Sequence, residues 1–214
     1  SLHDALPISD ARGGFPTVYT NAPVTRIGKL YNLVQSKGAA ALPQLAKAAT
    51  DADRNYRNTA LRFAAPYADA DFYNTIIGRL PKAKPEVKTD LVTWLGLQGV
   101  QSALPSILPL IASEDAELST AAMWAATRLG GQGVNERLIE VLSAAATPDA
   151  LREVARECLL SSKTPVTEAA AEVVAQGSDA GKAAALSILA AKKAQQKASM
   201  VLNETANRNA DVAT

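Results

Sequence analysis

Large apolar side chains return along the chain at a spacing of about 31 residues. Leu45, Ile76, Ile107 and Leu138 form one such series, and Leu80, Ile111 and Leu142 form a second, four residues further on. An apolar pair at i and i+4 also recurs six times at about this period: Leu30 and Val34, Leu61 and Ala65, Leu91 and Leu95, Ala122 and Ala126, Val154 and Cys158, Ala185 and Leu189. Side chains four apart share a helix face, so each pair predicts a buried stripe on a first helix and each series a buried stripe on a second. Period-two alternation is absent, so strands are not expected. A fixed period of this size means a stack of helix pairs, none of which can bury its apolar face without its neighbours. The chain divides accordingly into segments 24–53, 54–84, 85–115, 116–147, 148–179 and 180–209. The expected fold is an all-α solenoid of about five to six helix pairs over residues 24–209. An irregular lead-in over 1–23 precedes it and a tail over 210–214 follows.

Helix punctuation agrees with this division. Thr147-Pro148 and Thr164-Pro165 each place a capping hydroxyl before a proline at the first helical position, where a missing N–H breaks no intrahelical bond. Asp53, Ser113 and Ser178 stand near other expected starts, and Gly96, Gly99, Gly130, Gly131 and Gly177 near expected stops. Pro109 falls inside a second helix and predicts a kink there, or a start later than Pro105. Alanine replaces many large apolar residues over 169–199, so this end is expected either to fray or to form one longer helix.

Composition supports helices and narrows the function classes. Aromatic residues make up 5% of the chain while Ala and Leu are abundant, a mixture that favours close-packed helices over strands. Basic and acidic residues number 22 and 21, and this near balance counts against nucleic acid as the main partner. Cys158 is the only cysteine, which rules out an internal disulfide and any cysteine-based metal site. No apolar run approaches the length of a membrane span.

Leu42-Pro43-Gln44-Leu45 and Leu104-Pro105-Ser106-Ile107, with Leu95-Gly96-Leu97-Gln98-Gly99 and Ala126-Thr127-Arg128-Leu129-Gly130, resemble the bacterial HEAT repeat. The closest variety is the short one related to phycobilisome-lyase repeats. The resemblance covers most of residues 24–160 and rests on the recurrence of loose motifs. The basic residue common early in the first helix is present at Arg152 and absent at Thr120. The resemblance implies an α-solenoid with first helices on the convex face and second helices on the concave face, in a protein that acts as a scaffold for others.

Ser1 to Ile8, SLHDALPI, resemble the translation of a common sequencing adapter. On that reading the natural start is missing, an upstream signal peptide would be invisible, and His3, the only histidine, leaves any catalytic argument.

The candidates for chemistry are few, and each has a bland counterpart. Cys158 occupies an apolar stripe position, so an inert buried thiol is expected rather than a nucleophile. Gly130-Gly131-Gln132-Gly133 has the look of a phosphate loop but lacks a preceding strand and a following Lys-Ser/Thr, and reads more simply as a turn between helices. Trp94 and Trp124, in successive first helices, would form either core or an exposed stacking ledge. Glu136 and Glu140, with Arg137 beside them, share one solvated helix face and do not converge across a cleft as paired catalytic acids must. Arg79, Lys82, Lys84 and Lys88 form one basic patch, and Lys182, Lys192, Lys193 and Lys197 another.

No catalytic, metal or cofactor residue is assigned. The expectation is a non-enzymatic scaffold that receives a protein partner along its second helices, at Gln44, Asn74, Arg79, Arg137 and Glu140. The alternative is the accessory repeat module of a larger bacterial extracytoplasmic sugar-active protein, with a 3-keto-disaccharide hydrolase-like domain following the polar stretch Asn203 to Thr214. This alternative favours an extracytoplasmic or periplasmic location over a cytoplasmic one. A repeat that grips DNA would need a basic concave face, and the net charge argues against it.

Overall fold

The computed structural model describes residues 25–163, 165–176 and 178–212, all in helices, turns and short connections, with no strand among them. The whole expected lead-in over 1–23, including Ser1 to Ile8, lies outside the described residues, as do Val24, Thr164, Gly177, Ala213 and Thr214. The protein is all-α, and it falls into two compact units that divide between Trp94 and Leu95.

In the first unit, α1 (Arg26–Lys37), α2 (Leu42–Ala48), α3 (Arg54–Ala64) and α4 (Ala70–Arg79) lead into α5 (Pro85–Leu97), which crosses the division. First helix packs on first helix, α1 on α3, and second on second, α2 on α4. The second unit holds α6 (Leu104–Ile107), α7 (Ala116–Leu129), α8 (Val134–Ser143), α9 (Asp149–Ser161), α10 (Thr167–Gln176) and α11 (Asp179–Val212). Here α7 packs on α9, α9 on α11, and α8 on α10, so each helix meets the one two places along.

The apolar periodicity accounts for the cores of both units. Leu45 and Ile76 in the first, and Ile107 and Leu138 in the second, are all 0% exposed. One period further on, Ala169 is also buried. Nine of the twelve first-helix stripe residues are buried, while Ala65, Val154 and Leu189 are half-buried. At those three the adjacent Ala64, Ala155 and Ile188 are fully buried instead, so the stripe has turned by one residue. That is the drift expected when a helix of 3.6 residues per turn is read in steps of four.

Short side chains set several helix starts. Asp53, Asp69 and Asp115 each accept a hydrogen bond from the backbone N–H three residues on, at 2.7, 2.9 and 2.9 Å, and so satisfy a donor at the start of α3, α4 and α7. Ser178 does the same for α11 through the Gly181 N–H at 3.2 Å. Pro148 corrects the expected pattern: it is the cap of α9 rather than its first helical residue, and the Thr147 hydroxyl does not cap. Pro109 ends the α-conformation of α6 after four residues, and the chain continues as a tighter 3-10 segment, Leu108–Ala112.

Gly96 is not a stop. It lies inside α5, where a Cβ would fall 2.8 Å from the Ala125 Cβ, so its absent side chain lets two helices approach closely. Gly99, with φ +68°, is the residue that ends this helix: its N–H reaches the Gly96 carbonyl at 3.1 Å, and the Val100 N–H reaches Leu95 at 3.1 Å. The alanine-rich stretch 169–199 divides between α10 and α11, and only its later part lies in the long helix, α11, of 34 residues. This helix continues through Val212, so the boundary set at residue 209 and the polar stretch from Asn203 as far as Val212 fall within it. Its packing ends near Lys192, and Met200, Val201 and Leu202 further along are 64, 55 and 70% exposed.

Truncating the fully buried Ile107 to Ala should cost about 2–5 kcal/mol of unfolding free energy, from lost transfer and the cavity left behind. Leu142→Ala, at a half-buried member of the parallel series, should cost clearly less. Urea titrations of the two variants decide this, and equal losses would mean that the series beginning at Leu45 is not the packing core.

Candidate functional site

The most heavily bonded polar cluster forms where α2 turns into α3. The Asp51 Oδ1 accepts from the Asp53 N–H at 2.9 Å, which folds the turn, and Asp53 then caps α3. This places Arg57 one turn inside α3, where its side chain is 2% exposed. A buried guanidinium must have its donors met. Arg57 gives Nη1 to the Ala52 carbonyl at 3.0 Å, Nη2 to the Glu86 carbonyl at 3.3 Å, and both Nε and Nη2 to the Asp90 Oδ2 at 2.6 Å. Asp90, 7% exposed on α5, also receives the Arg54 Nη2 at 3.2 Å and the Asn58 Nδ2 at 3.3 Å. One carboxylate thus ties α3 to α5, and the arginine ties both to the loop before α3.

At the surface of the same turn, Arg26 donates to the Asp51 Oδ2 at 2.6 Å and lies 3.9 Å over the Tyr56 ring. The Arg26 hydrogen bond holds the Asp51 carboxyl below its ordinary range, and Asp51 in turn raises Arg26. Arg26, Arg57, Lys88 and Ser119 are one period apart. The Ser119 hydroxyl, buried, donates to the Ile111 carbonyl at 2.7 Å. Arg152 Nη2 serves the Ala144 and Ala145 carbonyls at 2.9 and 3.0 Å. An early first-helix side chain that satisfies carbonyls ahead of its helix therefore recurs with different chemistry at three starts.

The residues expected to receive a partner divide between the units. Gln44 on α2 and Asn74 on α4 are exposed. Arg79 is half-buried and donates to the Ala46 carbonyl, which makes it a tie between α4 and α2 rather than an open surface group. In the second unit Arg137 and Glu140 are exposed and lie 3.5 Å apart as an i,i+3 ion pair on α8. The period shows two further members that the sequence reading passed over: Thr75 and Ser106 fall between Gln44 and Arg137 at the same spacing. Each stands one residue before a fully buried series member, and that offset is the signal that finds them. Thr75 is exposed and Ser106 half-buried.

Other candidates resolve into packing. Trp94 is 8% exposed against Phe72 and Tyr73, with both ring centroids at 5.7 Å, so it belongs to the first unit's core and not to a ledge. Trp124, in the second unit, is half-buried. Gly130, Gly131 and Gly133 all have positive φ, and the Gln101 Nε2 donates to the Gly130 carbonyl at 3.0 Å, which pins this stretch as the α7–α8 turn. Cys158 is fully buried, and burial pushes its thiol up to about 11. Lys192 Nζ donates to the Leu160 and Ser162 carbonyls, both at 2.9 Å, and burial lowers its pKa. Among the described residues no group of three or more His, Cys, Asp or Glu is arranged to hold a metal ion, and no helix is long and apolar enough to cross a membrane.

Comparison of the chain with protein-family models and with curated proteins finds no match.

Two outcomes follow from these contacts. Asp90→Ala strands a buried guanidinium and should cost about 3–5 kcal/mol of stability by chemical denaturation; a loss under 1 kcal/mol, the size expected of an exposed pair, would contradict the tie. At pH 8 the Cys158 thiolate should be scarce, so iodoacetamide should label the native chain about 100-fold more slowly than the urea-unfolded chain. Equal rates would contradict its burial.

Proposed function

We propose that this protein is a non-enzymatic helical-repeat scaffold of the HEAT kind, whose second helices present polar side chains in each unit to a protein partner. The observation that carries the reading is the series Gln44, Thr75, Ser106 and Arg137, each one residue ahead of a 0% exposed aliphatic core residue. A side chain beside a fully buried one is held by a helix that cannot rotate without exposing that core. Within each unit the polar pair, Gln44 with Thr75 and Ser106 with Arg137, is therefore preorganised, and little ordering entropy is lost when a partner docks. The helical stacking within each unit favours the same reading, since stacked helix pairs offer long preformed surfaces. Asn74 adjoins Thr75 on α4, and Glu140 pairs with Arg137 on α8. Arg79 contributes indirectly, by holding α4 on α2.

The test uses the whole chain as bait, identification of what it retains, and titration of the purified partner. Arg137→Glu and Gln44→Glu should each weaken that affinity at least about tenfold, the loss of one good polar contact. Arg62→Glu, exposed at the far end of α3, should leave it unchanged. A partner whose affinity ignores Arg137 and Gln44 would remove the second-helix surface, and turnover of a glycoside by the purified chain would remove the non-enzymatic reading.

A further inference from the structure

The near-neutral net charge of the chain conceals two opposite halves. Residues 25–94 carry eleven basic against six acidic side chains, whereas residues 95–214 carry ten against thirteen. Within each unit the imbalance sits at one edge, made of the last turn of each second helix, the following loop and the first turn of the next first helix. In the first unit this edge has nine basic and four acidic side chains, counting Asp90, which its ion pairs hold there. The opposite edge is balanced, with Lys37 and Arg62 against Asp69 and Asp71.

Four of the nine are arginines engaged as described, Arg26, Arg54, Arg57 and Arg79. The other five are lysines with no ion pair among the described residues: Lys29, Lys47, Lys82 and Lys84, which are exposed, and Lys88, which is half-buried. Lys82 and Lys84 stand one period after Asp51 and Asp53, and one period before Ser113 and Asp115. At both neighbouring turns this position pair folds the loop and caps the helix, through bonds of 2.9 and 2.7 Å in one and 3.1 and 2.9 Å in the other. At the middle turn Pro85 starts the helix. Proline presets the helical φ and has no N–H to satisfy, so the capping acid is dispensable. Two lysines occupy positions that the fold has released.

The corresponding edge of the second unit has the reverse sign. Glu114, Asp115, Glu117, Glu140, Asp149 and Asp179 are all exposed there. Three cations oppose these six carboxylates: Arg137, ion-paired with Glu140, Arg152, which pairs with Asp149 and serves two carbonyls, and Lys182. We infer that the basic edge of the first unit receives the acidic edge of the second unit of another copy of this chain, giving a salt-sensitive self-association. Complementary edges on one polypeptide favour a second copy over a nucleic acid for two reasons. Carboxylates are interleaved with the lysines and would repel phosphates, and the aromatic ring at this edge, Tyr56, is covered by Arg26 and is not open for base stacking. Contacts between exposed charges are individually weak and screened by salt, so the association is expected to be reversible and to depend on ionic strength.

Sedimentation of the full chain tests this. The mean mass should rise with concentration at about 20 mM salt and return to the monomer at about 500 mM, where the screening length is only a few ångströms. Lys47→Glu/Lys82→Glu/Lys84→Glu and Glu114→Lys/Glu140→Lys/Asp149→Lys, both confirmed helical by circular dichroism, should each stay monomeric alone at low salt. Mixed together they should associate again, because each supplies the charge that the other has lost. A wild-type chain that remains monomeric at low salt would overturn the proposal, as would triple variants that associate as well as the wild type. So would a monomeric chain that binds polyglutamate or a single-stranded oligonucleotide in a salt-dependent way, which would assign the edge to an acidic macromolecule instead.

Discussion

Burial of one large aliphatic side chain per period, on second helices too short to persist alone, is the constraint on which the rest depends. α2 has seven residues and α6 four, and segments of that length have negligible helicity in water. They form because Leu45 and Ile107 are withdrawn completely from solvent, each burial worth about 1.5–3 kcal/mol. Everything else in each unit adapts to that demand. The loops are closed by carboxylate and hydroxyl caps, Gly96 gives up its side chain so that neighbouring helices can approach, and the carbonyls ahead of first helices are collected by Arg57, Ser119 and Arg152. Polar positions that the core does not claim are free to carry a surface.

Much of this was legible because helical packing writes itself into spacing. The aliphatic series, the all-α class and the starts of α3, α5 and α7 at Arg54, Pro85 and Ala116 follow directly from periodicity and from the capping preferences of Asp and Pro. The errors share a physical cause, which is that local chemistry is ambiguous where tertiary contact decides. A glycine near the end of an apolar stripe ends a helix at Gly99, where φ is positive, but admits a neighbouring helix at Gly96, and the sequence looks alike at both. Pro148 occupies the cap rather than the first turn, a difference of one residue within the usual uncertainty of helix ends.

The candidate surface was less legible than the fold, and Arg79 illustrates why. By period it belongs with exposed second-helix residues, yet its guanidinium turns back to the Ala46 carbonyl, because a long side chain at the end of one helix reaches the unsatisfied carbonyls of the next. The Arg57–Asp90 tie was missed for a related reason. Periodicity shows that a basic residue recurs early in first helices, but its partner lies on another helix whose register the period does not report. Thr59, one period before Asp90, is equally buried and leaves its hydroxyl unpartnered, so equivalence by spacing does not carry equivalence of bonding. Whole-chain charge was silent on this surface for a different reason, since a sum over the chain erases the contrast between its halves.

α11 brings two stabilising regimes into one continuous helix. At about 1.5 Å per residue its 34 residues extend about 50 Å, and from Lys193 to Ala210 every side chain faces solvent. The first half is held by tertiary burial at Ala185 and Ile188, while the second half rests on the intrinsic helix propensity of its Ala, Lys and Gln residues. Amide hydrogens should therefore exchange along a gradient within this single element, slowly near Ile188 and progressively faster along its solvent-exposed half, which can unwind without disturbing the core behind it.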